Sequence, residues 1–229
     1  MTDHQKQNLP PLKPVPEVTS DTPYRSRAFK KFSETLLPTK WGNFQTAAYR
    51  NQEGEEHIAI SLGLDQPQGA DSRPPLVRIH SACFTSEVLG SMKCDCREQL
   101  EYALQAIQAE GRGLVLYLFQ EGRGIGLGAK IQVYALQEQG FDTVDANTHL
   151  GFKEDARTYE SALDMLEELG LKEVRLLTNN PKKINALTQG GIRVERAPIE
   201  VVCHPINQNY LETKRDRMGH LFSNLGHKS

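Results

Sequence analysis

Three short apolar segments, separated by stretches of helical periodicity, constrain the fold of this 229-residue chain most strongly. PLVRIHSA (75–82), GLVLYLF (113–119) and VRLLTNN (174–180) are short and apolar enough to be buried strands. Between the first two, apolar residues recur at helical spacing from Leu100 to Ile107 before a pair of glycines ends the pattern. Strands that alternate with helices predict the α/β class, here a mixed β-sheet flanked by helices in a single domain.

The two ends of the chain are predicted to lie outside the folded domain. Prolines recur among polar residues through residues 1–35, and a composition this poor in apolar side chains does not offset the entropy of ordering. This segment is predicted to be a flexible arm. WGNFQTAAYR (41–50) and HIAISLG (57–63) are the first predicted strands of a domain expected to span residues 36–222, with a disordered tail at 223–229.

Charge and hydropathy exclude several classes of function. The formal net charge of −2 argues against a general nucleic-acid binder, which usually has a strongly basic face. No apolar stretch approaches the roughly 20 residues that span a bilayer, and the polar N-terminus lacks the apolar core of a signal peptide. We therefore expect a cytoplasmic protein with neither a membrane nor a nucleic-acid partner.

The spacing of three cysteines is the first indication of chemistry. Cys94 and Cys96 lie one residue apart, and Cys83 precedes them at the end of a predicted strand. In a reducing compartment, closely spaced cysteines are more often metal ligands or redox groups than disulfides. The alternatives are small buried hydrophobic residues, a closed four-cysteine site that includes Cys203, or a site with His80 as fourth ligand.

A glycine-rich loop, EGRGIGLG (121–128), follows the most apolar strand and leads into a helix. It imitates a dinucleotide-binding fingerprint, but Glu121 would repel a pyrophosphate, and the spacing of a P-loop is absent. A carboxylate at this position can accept hydrogen bonds from guanine, and Arg123 can bind phosphate. The alternative is a loop with solvated charges. A longer loop is predicted from Gly140 to about Arg157.

TNNPKK (178–183) is a second candidate anion site. It follows a buried strand, and ligands of open α/β sheets bind at the carboxyl ends of strands. Lysines in the first turn of a helix oppose the helix dipole, which costs stability unless an anion binds there. The chemistry of these residues thus indicates a zinc-dependent enzyme that acts on a phosphorylated substrate.

Taken together, these stretches resemble GTP cyclohydrolase II, a family of riboflavin biosynthesis. The resembling segments are VRIHSAC, GSMKCDCREQLEYAL, QEGRGIGLGAKIQVYALQEQGFDTVDAN, LGFKEDARTY, VRLLTNNPKK and YLETKRDRMGH. The resemblance as a whole extends from about residue 37 to residue 221.

The resemblance implies a set of site residues. It implies that Cys83, Cys94 and Cys96 hold a catalytic zinc with water at its open position, that Asp155 is the general base, and that Arg157 is a nucleophile toward the α-phosphate. The residues implied to line the GTP site are Arg78, His80, Ser81, Gln99, Glu121, Gly122, Arg123, Thr143, Thr178 and Lys183. Tyr134 is implied to assist near the metal. Mg²⁺ is expected on the triphosphate, and a homodimer is expected.

The implied reaction is hydrolysis of GTP at C8 of the imidazole ring. Its products would be formate, pyrophosphate and 2,5-diamino-6-ribosylamino-4(3H)-pyrimidinone 5′-phosphate, in the first step of riboflavin biosynthesis. The sequence departs from the family's usual pattern at Ala82, where a glutamate is usual, at Glu87 in T-S-E for T-G-D, and at Arg97 for glycine. Rival readings are a divergent paralogue like those of pyrimidine catabolism, and a zinc-stabilised nucleotide-binding regulator without turnover.

Overall fold

A computed structural model describes residues 28–66, 73–152, 155–199 and 205–222. Its strands are β1 (Lys30–Thr39), β2 (Gly42–Arg50), β3 (Glu56–Leu62), β4 (Leu76–Ser81), β5 (Gly113–Leu118), β6 (Glu173–Leu177) and β7 (Arg193–Ala197). Its α-helices are α1 (Phe84–Glu87), α2 (Cys96–Glu110), α3 (Leu127–Glu138), α4 (Thr143–His149), α5 (Glu160–Glu168), α6 (Pro181–Gln189) and α7 (Gln208–Asp216). None of these helices has both the length and the apolar character that a membrane crossing requires.

The strands form one seven-stranded sheet in the order β1-β2-β3-β5-β4-β6-β7. The strands β1, β2 and β3 form an antiparallel meander, and β3 pairs antiparallel with β5. The strands β5, β4, β6 and β7 are parallel, so their carboxyl ends lie along the same edge. The predicted α/β class with a mixed sheet flanked by helices is confirmed.

Helices cover both faces of the parallel half and thereby set which side chains reach the cavity. On one face, α5 packs in a core with Ile79 of β4. On the other face, Ile107 of α2 packs in a core with Leu76 of β4. Because successive side chains of a strand alternate between faces, Arg78 and His80 lie on the α2 side. Both are buried there.

One boundary near the N-terminal end differs from expectation. The strand β1 begins at Lys30, so the last part of the segment predicted as an arm, residues 1–35, pairs with β2. Residues 1–27 of that arm and the tail at 223–229 lie outside the described residues.

The loop predicted from Gly140 to about Arg157 contains the short helix α4, so that prediction was wrong for residues 143–149. The helix begins there because the Asp142 carboxylate accepts hydrogen bonds from the backbone N–H groups of Val144 and Asp145. Such a side-chain cap stabilises the start of a helix. The helix α4 has only seven residues, which is too short for its hydrophobic periodicity to predict it.

Candidate active site

A cavity of about 670 Å³ opens at the carboxyl ends of the parallel strands. Ser81 ends β4 and Thr178 follows β6, and both line the cavity. Residues of α3 and α7 complete its wall. Ligands of open α/β sheets bind at this edge, so the cavity is the candidate active site.

The three cysteines predicted as metal ligands lie together in this cavity. Cys83 follows β4, and Cys94 and Cys96 lie at the start of α2. Their sulfur atoms lie within 4.8 Å of one another, and Cys83 Sγ is 3.6 Å from Cys94 Sγ. With Zn–S bonds of about 2.3 Å, two ligands of a tetrahedral zinc lie about 3.8 Å apart, so these sulfur atoms fit that ion. No other group of three His, Cys, Asp or Glu side chains clusters this way among the described residues.

The two alternatives for a fourth ligand have different outcomes. His80 is not a member of the cluster, and its Nε2 is instead hydrogen-bonded to Glu87 Oε1 at 2.9 Å. Cys203 lies outside the described residues, so a four-cysteine site remains untested.

Glu87 supports the backbone of the metal-ligand loop. Its Oε1 accepts hydrogen bonds from His80 Nε2 and from the Cys83 backbone N–H at 3.0 Å, and its Oε2 accepts one from the Tyr117 hydroxyl at 2.5 Å. Burial lowers the pKa of His80 to about 4, although the hydrogen bond to Glu87 favours the charged ring. The imidazole is therefore neutral near pH 7 and donates from Nε2.

The three departures from the usual family pattern fall in different surroundings. Ala82 lines the cavity, and Glu87 makes the contacts just described. Arg97 lies 3.5 Å from Glu101 across one helical turn, and its side chain is 45% exposed. It is not among the residues that line the cavity.

Lys130, which the sequence analysis did not single out, contacts a metal ligand. Its Nζ donates to Cys83 Sγ at 3.0 Å and to Glu121 Oε1 at 2.8 Å. Hydrogen bonds with Cys94 and Cys96, and further the bond from Lys130, hold the pKa of the Cys83 thiol well below its usual range. Since the two residues lie 47 positions apart, no local sequence pattern could reveal this contact.

The glycine-rich loop adopts a strained turn that packs against the backbone of Ala156, the residue before Arg157. Gly122 and Arg123 have φ values of 62° and 60°, and Arg123 is the only non-glycine residue with positive φ in the described part of the chain. A Cβ atom at Gly124 would lie 3.1 Å from the Ala156 backbone, and the Ala156 N–H donates to the Arg123 carbonyl. Such backbone strain occurs disproportionately at functional sites.

Asp155 and Arg157 form a paired unit beside the cavity. Arg157 Nε and Nη2 donate to the two Asp155 carboxylate oxygens at 2.9 and 2.8 Å. Burial opposes the charge of Arg157, but the hydrogen bonds to Asp155 outweigh it and raise the pKa of the guanidinium. Burial likewise acts to raise the pKa of Asp155, and the Arg157 bonds lower it overall. Arg157 lines both the cavity and a second depression, and Asp155 lines only the second depression.

Buried cations form the inner wall. Lys183 Nζ donates to the Ile79 carbonyl at 2.7 Å, and Lys214 of α7 donates to Asp95 at 2.6 Å. Burial holds the pKa of Lys183 well below its usual range, and the charges of Arg78 and Arg157 lower it further. An anion in this cavity would relieve that repulsion.

Several buried polar atoms at the cavity have no protein partner. They belong to six lining side chains, and the atoms are Arg78 Nε, His80 Nδ1, Ser81 Oγ, Gln120 Oε1, Arg123 Nη1 and Nη2, and Asn147 Oδ1. Native structures pair the great majority of buried polar groups, with protein, water or ligand. The unpaired atoms therefore indicate where a polar ligand would bind.

The structure brings nearly all predicted site residues to one cavity. Those that line it are Arg78, His80, Ser81, Cys83, Cys94, Cys96, Gln99, Glu121, Gly122, Arg123, Tyr134, Arg157, Thr178 and Lys183. Asp155 reaches the site through Arg157, and Thr143 begins α4 beside the cavity-lining Asp142. Lining residues that the sequence analysis missed include Lys130, Tyr210 and Lys214.

Fold and site define an α/β protein with a three-cysteine cluster of metal-binding geometry inside a cation-lined cavity. The family model for GTP cyclohydrolase II matches residues 30–198. The GTP cyclohydrolase-2 of Neisseria gonorrhoeae is 51% identical over 188 residues, which cover 82% of this chain and 93% of that protein. The GTP cyclohydrolase-2 of Shigella boydii is 48% identical over 196 residues, which cover 85% of this chain and 98% of that protein.

A solved structure of RibBX, a two-domain 3,4-dihydroxy-2-butanone 4-phosphate synthase from A. baumannii, covers 80% of this chain and 42% of its own. At 17% identity and a TM-score of 0.43, that similarity is too low to support an argument. The family match and the curated relatives are sufficient: the chain belongs to the GTP cyclohydrolase II family. The predictions of this family, and of an enzyme of this family, are confirmed.

Proposed function

We propose that this chain hydrolyses GTP to formate, pyrophosphate and 2,5-diamino-6-ribosylamino-4(3H)-pyrimidinone 5′-phosphate, the first step of riboflavin biosynthesis. The observation that carries the proposal is the three-cysteine cluster in the same cavity as two buried Arg123 nitrogen atoms that have no protein partner. The first suits a metal that acts on the base, and the second suits the phosphates of the same nucleotide. Family membership supports the choice of GTP.

Zinc is the metal that the donor set fits, with Cys83, Cys94 and Cys96 as its ligands. When bound, it supplies Lewis-acid activation of water for attack on the electrophilic C8 of guanine. The protein holds the thiolates in place from two sides. Glu87 fixes the Cys83 backbone, and Lys130 fixes its sulfur. Tyr134, whose hydroxyl is 3.4 Å from Thr85 Oγ1, is proposed to assist near the cluster.

The phosphates are proposed to bind to Arg123, Arg157 and Lys183, with Mg²⁺ on the triphosphate. A guanidinium can bind two phosphate oxygens at once, and fixed cations stabilise the charge that develops when pyrophosphate leaves. Arg78, Gln99, Thr143 and Thr178 are proposed to complete the GTP site, with His80, Ser81 and Gly122.

Asp155 and Arg157 are proposed as the catalytic pair, with Asp155 as base and Arg157 as nucleophile toward the α-phosphate. The bond from an Arg157 nitrogen to phosphorus would form as the bond to pyrophosphate breaks, and water would then cleave the nitrogen–phosphorus bond to leave the 5′-phosphate. The bidentate ion pair keeps Arg157 protonated, so attack requires prior transfer of a guanidinium proton to Asp155. In its protonated form the same guanidinium is oriented to bind a phosphate oxygen. Replacement experiments described below measure the contribution of the pair.

Glu121 is proposed to contact guanine. A carboxylate offers about four acceptor positions. Three hydrogen bonds reach Glu121 from the protein, from Lys130, from the Gly122 N–H and from the Phe84 N–H at 2.6 Å. One position on Oε2 is left for a guanine donor. Adenine presents an acceptor where guanine has N1–H, so GTP is the expected substrate over ATP.

We further propose a cytoplasmic homodimer without a nucleic-acid partner. The side chains of Val88 and Leu89, beside the metal-ligand loop, are 66% and 67% exposed, and Phe84 and Met92 are exposed nearby. Exposed apolar side chains grouped in this way are typical of protein interfaces. Three free thiolates require a reducing compartment to stay available to a metal.

The test is incubation of the zinc-loaded protein with GTP and Mg²⁺, with formate measured against a zinc-free sample. Release of formate only by the zinc-loaded protein is expected. Binding of GTP without formate would contradict the proposal and favour a nucleotide-binding regulator. Turnover of another heterocycle in place of GTP would favour a divergent paralogue.

A further inference from the structure

We propose that Lys130 and Glu121 form a positioning pair that fixes the metal ligand Cys83 and so sets the affinity of the cysteine cluster for zinc. This inference rests on the proposed function in one respect, that a metal occupies the three thiolates. It assigns to the glycine-rich loop a role in metal binding in addition to its proposed contact with the nucleotide.

The contacts that carry the inference come from two elements remote from the cysteines in sequence. Lys130 lies in the first turns of α3, and Glu121 opens the turn that precedes that helix. Lys130 Nζ lies 3.0 Å from Cys83 Sγ and 2.8 Å from Glu121 Oε1. The Lys130 and Glu121 side chains are only 12% and 16% exposed, so solvent does not strongly screen the pair.

Glu121 also holds the backbone on the far side of Cys83. Its Oε2 accepts a hydrogen bond from the Phe84 N–H at 2.6 Å, so the pair contacts both the sulfur of Cys83 and the peptide that follows it. The peptide N–H of Cys83 itself donates to Glu87. The ligand is thereby fixed at its sulfur and on both sides of its backbone.

The charge of Lys130 explains how this arrangement would stabilise the metal-bound cysteines. Three thiolates around a divalent cation leave a net charge of −1 on the site, which a neighbouring cation offsets. The ammonium group of Lys130 supplies the opposite charge at the one thiolate it contacts, through a charge-assisted hydrogen bond. Glu121 in turn keeps that ammonium in place.

Replacing a residue that orients a metal ligand typically lowers the metal affinity by about 10- to 100-fold. The substitution Lys130→Met removes the ammonium and keeps the length of the side chain. The matched control is Lys93→Met, which removes a charge beside Cys94 in sequence. Lys93 Nζ lies 3.6 Å from Glu138 and 4.9 Å from the Tyr134 ring, and it makes no hydrogen bond to a thiol among the described contacts.

The experiment measures zinc dissociation constants by competition with a chelator, without GTP. Lys130→Met should weaken the zinc affinity by about 10- to 100-fold. Lys93→Met should weaken it by less than about threefold, which is the size of the effect of a surface charge. With Co²⁺ in place of zinc, the sulfur-to-cobalt absorption should change in Lys130→Met and stay unchanged in Lys93→Met. Unchanged zinc affinity and an unchanged cobalt spectrum in Lys130→Met would overturn the inference.

Two further measurements keep the outcomes distinct. If Lys130→Met does not fold, as judged by circular dichroism, Glu121→Gln tests the same pair from its other member and should weaken zinc binding with an altered cobalt spectrum. Normal zinc affinity in a folded Glu121→Gln would overturn the inference. Failure of the proposed function appears instead in the unsubstituted protein, as zinc binding without formate release from GTP.

Discussion

Two groups of side chains in the same cavity differ in how their polar atoms are satisfied. Around the cysteines, Glu87, Lys130 and Asp95 each bind other protein groups at 3.0 Å or less. Among the arginines, Arg123 has two buried nitrogen atoms without a protein partner. A side chain bonded to protein groups is fixed in place, whereas a buried donor without a protein partner is left to bind water or a ligand. We therefore propose that the cysteine group holds a metal and that the arginine group binds the substrate.

Removing a member of the cysteine group should have the largest effect. Cys96→Ser is expected to empty the metal site and abolish formate release, because a hydroxyl is a poor zinc ligand and two thiolates remain. Cys203→Ser should leave the zinc content intact. Zinc is measured by atomic absorption after dialysis. Loss of zinc from Cys203→Ser would mean a closed four-thiolate site, which leaves no position for water.

Exchange of the nucleotide tests the proposed contact of Glu121. GTP should be turned over in preference to ATP by a factor on the order of 10⁴ in kcat/KM, because a buried carboxylate would face an adenine lone pair. Formate release, monitored while the two nucleotides compete, gives this ratio of kcat/KM values. Equal turnover would contradict the assignment and favour a divergent paralogue.

Replacement of the catalytic pair tests the substrate-facing group. Asp155→Ala and Arg157→Ala are expected to fold and bind zinc, since neither residue is a ligand, and to lose formate and pyrophosphate release together by at least about 10²-fold. Both products are followed in single-turnover reactions. Near-normal formation of both by Arg157→Ala would reduce the pair to a structural ion pair.

A comparison of two arginines tests whether side chains with protein partners and side chains without them have different roles. Arg123→Ala should raise KM for GTP by about 10- to 100-fold, the range of a hydrogen bond to a charged group. Arg217 also lines the cavity but is paired with Asp142 and Asp145, and its side chain is 42% exposed. Arg217→Ala should change KM by less than about fivefold. Equal changes in KM for the two variants would show that the presence of protein partners does not distinguish a substrate-binding arginine from a structural one.

Sequence patterns revealed the parts of the site that are encoded locally. The apolar runs gave β4, β5 and β6, and the C-x-C spacing with Cys83 indicated three ligands that the structure brings within 4.8 Å. Pro181 begins α6, a position that its fixed φ suits. These features depend on neighbouring residues only.

The parts that sequence reasoning missed depend on contacts between distant segments. Lys214 pairs with Asp95 across 119 positions, and Lys130 with Cys83 across 47. A lysine on a helix gives no sign that its ammonium group meets a thiolate or a buried carboxylate. Neither contact has a periodicity or a spacing that a single sequence could display, so both required the packed fold.

The most direct test is a crystal structure of the zinc-loaded protein with a non-hydrolysable GTP analogue and Mg²⁺. We expect the guanine C8 to lie beside the zinc held by Cys83, Cys94 and Cys96, with phosphate oxygens bonded to Arg123 and Arg157. We also expect Lys130 Nζ to remain bonded to Cys83 Sγ. Phosphates on the cysteine-bound metal with the base among the arginines, or an analogue bound outside the cavity, would contradict it.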